Sequence, residues 1–200
     1  MIEIEKTFFL TDEEEKRLLE GAEFIGEKAM KDVYYDNGKF DIMTRDQWLR
    51  ERNGTFEVKV PAPTQTPIRG REIDKYEEIT EEDRIREILG IKRETTLSED
   101  LKNNGFSPVA AIVTTRRTYR KDIFTIDLDS VDFDPDFRVA EIELMVENND
   151  QVEEASDKIL AFAKAMKLKS SPTHGKLVEY LRRNNPKIYQ ILIKAGVVWH

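Results

Sequence analysis

Ile2-Glu3-Ile4-Glu5-Lys6-Thr7-Phe8 opens the chain with apolar and acidic residues in alternation. A strand repeats every two residues, so Glu3 and Glu5 share one face and Ile2 and Ile4 the other. Two carboxylates on one face repel; like charges ~4 Å apart cost about 4 kcal/mol at an effective dielectric of about 20. The pattern returns in Asp127-Leu128-Asp129 and in Glu141-Ile142-Glu143-Leu144. Three acidic strand faces in one short chain point to a shared cation.

Other segments obey the same parity with bases. Arg50 and Arg52 share a face with Leu49 opposite, and Glu57 and Lys59 share one with Phe56, Val58 and Val60 opposite. Thr114, Arg116, Thr118 and Arg120 also fall on one side. An ordinary half-exposed sheet explains each strand taken singly. Taken together they suit a closed barrel with charged faces inward and apolar faces under helices, which also leaves no free edges. Such a lumen needs occupants to offset its charges. Carboxylates with few histidines suit Mg²⁺ or Mn²⁺ better than zinc. Arginine forks suit phosphate oxygens. A metal-bound polyphosphate satisfies both sets.

The bulk composition agrees. The 200 residues suit one domain spanning 1–200. Charged residues make up 36% and hydrophobic residues 39%, the balance of a soluble chain with a modest core. No apolar run approaches the ~20 residues that a membrane span needs. The strand pattern begins at once, so no signal peptide is read and the expected location is the cytoplasm. A net charge of −8 argues against a nucleic-acid surface, though a basic pocket can sit inside an acidic protein. With no cysteine, thiol nucleophiles, disulfides and thiolate zinc sites are excluded. The two histidines, His174 and His200, lack any supporting triad motif, and His174 reads as a loop residue.

Thr11 to Glu20 reads as a helix with a Thr11–Glu14 capping box, stopped at Gly21. Val33 to Tyr35 reads as a strand before the turn Asp36-Asn37-Gly38. Asp46 to Arg52 and Thr55 to Val60 read as a hairpin about Asn53-Gly54. Three prolines make Pro61 to Gly70 a loop, and Arg71 to Ile79 follows as a strand. Thr80 is expected to cap a helix through Leu89, closed by Gly90. Ser98 to Asn104 reads as a helix ended by Gly105. Val109 to Arg120 and Asp122 to Val131 form a second hairpin, and Val139 to Val146 is the last strand. Asp150 to Leu168 is the longest amphipathic helix. Lys176 to Arg183 and Lys187 to Ala195 read as two helices separated at Pro186.

These segments resemble, in order, the CYTH or triphosphate tunnel metalloenzyme superfamily, and most closely its thiamine triphosphatase branch. The matching pieces are Ile2-Glu3-Ile4-Glu5, Asp32-Val33-Tyr34-Tyr35-Asp36 and Trp48-Leu49-Arg50-Glu51-Arg52. Glu57-Val58-Lys59, Val113-Thr114-Thr115-Arg116, Asp127-Leu128-Asp129, Glu141-Ile142-Glu143 and Lys176-Leu177-Val178-Glu179-Tyr180-Leu181 follow. Singly these are common; the ordered set is specific.

The resemblance implies an α+β fold: an antiparallel closed barrel of about eight strands with a charged lumen and helices outside. It implies Mg²⁺-dependent (Mn²⁺ possible) hydrolysis of thiamine triphosphate by a monomer that binds neither nucleic acid nor membrane. Glu3, Glu5, Asp127, Glu141 and Glu143 match the metal-side acids, with Asp129 as an addition. Arg50, Arg52, Lys59, Arg116 and Lys176 match the phosphate-binding bases. Trp48 matches an aromatic that stacks on the thiamine moiety, and Tyr34 a tyrosine near the reacting phosphate. Lys59, Tyr34 and Arg116 are the expected catalytic residues: either Lys59, made easier to deprotonate by neighbouring cations, acts with Tyr34 to orient or deprotonate the attacking water, or a second metal held by the same acids does so instead. Thr7 departs from the family signature, which has lysine there; Lys6 faces the other way unless a bulge turns it in. An inorganic or nucleoside triphosphatase of the same superfamily, a polyphosphate binder without catalysis and a structural barrel are the competing readings.

Overall fold

Strand β1 (Ile2–Phe8) is held on both sides. In the computed structural model it pairs antiparallel with β5 (Asp74–Ile79) and with β8 (Asp134–Val146). The remaining strands are β2 (Glu23–Asp36), β3 (Trp48–Arg52), β4 (Thr55–Pro61), β6 (Ser107–Lys121) and β7 (Phe124–Val131). Their order around the sheet is β1-β5-β4-β3-β2-β6-β7-β8, returning to β1, so the barrel is closed and antiparallel throughout. The structure describes residues 1–63, 65, 72–169 and 175–198. The expected strand start at Arg71, most of the loop to Gly70, His174 and His200 lie outside the described residues.

The apolar core lies outside the barrel. Ile4, Ile126 and Ile142 are fully buried beneath helix α4 (Val152–Ala165), against Val152, Ile159 and Phe162. A second cluster joins Ile112, Val139 and Met43 to α5 (Lys176–Asn184) and α6 (Pro186–Ala195) through Leu181 and Leu192. A third packs Leu49, Val58 and Ile79 under α2 (Glu82–Leu89) and α3 (Leu97–Asn103) through Ile85 and Leu101. Each such aliphatic side chain contributes about 1.5–3 kcal/mol on burial. Burying these residues outward turns their charged neighbours inward, because period two sends the other face to the lumen.

Local signals hold where side chains make the bond. Thr11 and Glu14 form the capping box of α1 (Asp12–Leu19). Asn53 and Gly54 take φ 49° and 90° in the β3–β4 turn, the left-handed pair that a two-residue hairpin uses. Several boundaries differ from the expectation, among them the start of β8, at Asp134 in place of Val139. β2 extends back to Glu23, where both faces are exposed and the alternation carries no signal. β3 begins only at Trp48, because a 3₁₀ turn at Met43–Arg45 and left-handed Asp46 precede it. α2 is preceded by Glu81, with no side-chain cap, instead of by Thr80. α3 begins at Leu97, one residue before the expected Ser98, with Thr96 capping it by accepting the Glu99 N–H at 3.3 Å. Among the described residues no helix is long and apolar enough to cross a membrane.

Candidate active site

The barrel lumen holds a cavity of about 430 Å³. Twelve expected site residues line it together: Glu3, Glu5, Tyr34, Trp48, Arg50, Arg52, Lys59, Arg116, Asp127, Glu141, Glu143 and Lys176. They come from β1, β2, β3, β4, β6, β7, β8 and the first turn of α5. Asp129 reaches the same ion pairs from β7. Lys6 does not reach the tunnel. The β1–β8 register runs without a break, with Lys6 opposite Ile142 and Thr7 opposite Glu141, so no bulge turns it inward. Its ammonium donates to the Glu72 carbonyl at 2.6 Å on the outside of the barrel.

Acids and bases do not occupy separate walls. Arg116 reaches Asp129 through Nε at 2.7 Å and Nη2 at 2.6 Å, and also binds Asp127 and Glu141. Lys176 joins this cluster, donating to Glu141 at 2.9 Å and contacting Asp129. Arg52 grips Asp32 with two bonds of 2.7 and 3.0 Å. Arg50 binds Glu57 and reaches Glu78 at 3.1 Å. Lys59 lies 2.5 Å from Glu3, 3.3 Å from Glu78 and 3.5 Å from Glu5. Side chains that suit phosphate and side chains that suit a metal thus neutralise each other across the tunnel.

The electrostatics follow from burial and these pairings. Burial opposes charge on Glu141, yet Lys176 and Arg116 hold its carboxyl well below the usual range. Burial alone would lower the Lys59 ammonium, but Glu3, Glu5 and Glu78 push it well above the ordinary lysine range. Its near neighbours are three carboxylates as well as Arg50, a pairing that opposes the expected easier loss of its proton. Glu5 behaves oppositely. Burial raises it to about 8, with Glu3, Glu141 and Asp74 adding to the rise against the pull of Lys59. Burial also raises Glu143, reinforced by Glu3, Glu141 and Asp127.

Glu3, Glu5 and Glu143 place one carboxylate oxygen each within 4.8 Å of one another. Glu143 Oε1 is buried with no hydrogen-bond partner and lies 3.8 Å from Arg116 Nη1. Three converging hard oxygens, with an unpartnered Glu143 oxygen in the same wall and two carboxyls that burial makes reluctant to ionise, suit a bound cation. The donor set is all oxygen and suits Mg²⁺ or Mn²⁺. Asp127 and Glu141 lie alongside but are engaged by Arg116 and Lys176.

Aromatic residues complete the wall. Tyr34, Trp48 and Tyr76 line the tunnel, and Trp48 stands opposite Lys59 in the β3–β4 register. Tyr35, by contrast, points outward, its hydroxyl donating to Glu51 at 2.9 Å. The sequence reading gave no role to Asp32, Asp46, Glu57, Tyr76, Glu78 or the rim residue Lys28. Glu57 was legible by parity beside Lys59. Tyr76 and Glu78 were not, because Asp74–Ile79 carries charge on both faces.

A family model for the CYTH domain matches residues 1–173. A solved protein from Pyrococcus horikoshii OT3 is 25% identical, with a TM-score of 0.63 over 91% of this chain and 99% of that one. A Pyrococcus furiosus protein at 21% identity has a TM-score of 0.56 over 88% and 98%. A Hippeastrum protein, named as an adenylyl cyclase and described with a dominant triphosphatase activity, is 13% identical; its TM-score is 0.52 over 90% and 94%. At the lower identities the likeness speaks for the fold.

Proposed function

The chain belongs to the CYTH domain family, and from that premise we propose that it hydrolyses thiamine triphosphate to thiamine diphosphate and phosphate. One observation carries the reading: acids and bases from separate strands meet in a single tunnel whose wall also bears Trp48 and Tyr76. An aromatic face attracts a cationic thiazolium by ~0.5–2 kcal/mol. Glu3, Glu5 and Glu143, with Asp127 and Glu141 beside them, are the residues that would hold Mg²⁺ or Mn²⁺. Bound there, the cation supplies charge neutralisation at phosphate oxygens.

The chain's own residues do the rest. Arg50, Arg52, Arg116 and Lys176 exchange their carboxylate partners for phosphate oxygens, which the guanidinium forks bind bidentately. The exchange would release Asp127 and Glu141, which lie beside Glu3, Glu5 and Glu143, from Arg116 and Lys176. Lys59, kept charged by its neighbours, stabilises charge developing on the reacting phosphoryl group. Tyr34 orients water with it. Water oxygen bonds to the terminal phosphorus, the bond to the bridging oxygen breaks, the diphosphate leaves, and the water proton passes to an oxygen of the released phosphate. One tunnel domain over 1–200, acting as a cytoplasmic monomer, completes the reading.

Phosphate release from thiamine triphosphate, inorganic triphosphate and ATP, with and without Mg²⁺, tests it. The expected result is Mg²⁺-dependent release with the highest kcat/KM on thiamine triphosphate. Preference for inorganic triphosphate or ATP would move the substrate within the superfamily. Tight binding with no release from any of the three would make the protein a polyphosphate binder and sink the hydrolase reading.

A further inference from the structure

Asp46 closes the 3₁₀ turn before β3 with φ 62°, in the left-handed region. Glycine satisfies such a turn at least strain, and asparagine or aspartate next. Aspartate here brings something glycine lacks. Its Oδ1 accepts the indole N–H of Trp48 at 3.1 Å and the hydroxyl of Tyr76 at 2.7 Å. Trp48 is on β3 and Tyr76 on β5, with β4 between them. One buried carboxylate, 7% exposed, therefore ties two tunnel-lining aromatics together across an intervening strand.

The position of this clamp matters. Lys59 stands opposite Trp48 in register, and its ammonium lies 5.8 Å from the centre of the Tyr76 ring. The two rings thus border the cation that faces phosphate. An indole has one hydrogen-bond donor, so engaging it fixes which way the ring plane stands. A ring already fixed loses less freedom when a ligand stacks on it. The carboxylate also adds negative charge beside the rings.

We propose that Asp46 is a positioning residue: it holds Trp48 and Tyr76 as a preformed jaw for a flat organic cation joined to the triphosphate. It thereby sets the preference for such a substrate over inorganic triphosphate. The proposal rests on the thiamine reading given above and assigns its selectivity to a residue that need not touch substrate.

The test uses the full chain in a Trp199→Phe background, where Trp48 is the one remaining indole. Asp46→Gly keeps the turn and removes the acceptor; Asp46→Asn keeps an oxygen acceptor and tolerates the backbone. Two quantities are read. One is the ratio of kcat/KM on thiamine triphosphate to that on inorganic triphosphate. The other is the fluorescence anisotropy of Trp48 without ligand. For Asp46→Gly the ratio should fall about tenfold, chiefly through KM, the scale of one lost oriented contact. Anisotropy should fall with it, and Asp46→Asn should restore most of both. Anisotropy and ratio at wild-type values in Asp46→Gly would overturn the proposal, as would a fall in anisotropy with the ratio intact. Wild-type protein inert toward thiamine triphosphate would sink the substrate reading instead. The ligand-free anisotropy would then still decide whether Asp46 holds Trp48.

Discussion

Cation loading should expel protons. Burial raises Glu5 to about 8, so at pH 7 the protonated carboxyl is favoured there. Glu143, raised as well, adds a share. A divalent cation needs both carboxyls ionised. Adding Mg²⁺ or Mn²⁺ at pH 7 should release about one proton from Glu5 plus a share from Glu143, and apparent affinity should climb by about tenfold or more per pH unit up to about pH 8. Titration calorimetry in buffers of different ionisation enthalpy reads the proton count directly. Glu5→Gln should lower that count by about one at pH 7, whatever it does to affinity. The metal-free protein gives a second readout with a definite sign. Glu5 is raised in the folded state, so the fold binds more protons than the unfolded chain between about pH 4.5 and 8, and stability falls as pH rises through that window. Glu141, Asp32 and Glu78 are lowered instead, and their contribution is complete above the usual carboxylate range and lost on acidification below it. Melting temperature should therefore decline from pH 5.5 to 8.5 without metal and recover with it. No proton release at pH 7, together with affinity flat from pH 6 to 9, would refute a cation seat at Glu3, Glu5 and Glu143.

Four further outcomes are expected. Lys59→Ala should cut kcat by about 100-fold with circular dichroism unchanged, the usual loss for one charge-stabilising group; turnover within about twofold of wild type would contradict its role. Trp48→Ala should raise KM for thiamine triphosphate about tenfold and largely spare inorganic triphosphate; equal loss on both would make Trp48 structural. Ile142→Ala, at a fully buried position under α4, should lower unfolding free energy by about 2–5 kcal/mol in urea titrations. Gly54→Val, at φ 90° in the β3–β4 turn, should destabilise by about 1–2 kcal/mol although it meets no neighbouring atom, because the strain is in the backbone.

The fold was legible wherever a strand had one charged and one apolar face. β1, β4, β7 and β8 have such faces, and the residues they send inward could be named before any coordinates. Closure was legible only as a way to satisfy all those faces at once. Three features escaped. The outer half of β2 is exposed on both sides, so alternation carries nothing there. β5 holds Lys75 buried on one face and Tyr76 and Glu78 in the tunnel on the other, which hides its parity. The pairing of Arg52, Lys59 and Lys176 with particular acids was unreadable, because those partners lie on elements far apart in sequence. Strand order explains why Lys59 stays charged: the β1–β5–β4 neighbourhood brings Glu3, Glu5 and Glu78 to it.

The doubly paired first strand has a kinetic consequence. Among the described strands of the barrel β1 is made first, yet one of its partners, β8, is made last. Until β1 and β8 pair, each presents an unsatisfied row of amides and carbonyls, and the barrel is an open, sticky trough. Contacts between Ile2 and Val146 are among the most distant the topology allows. Refolding should accordingly be slow and sensitive to protein concentration.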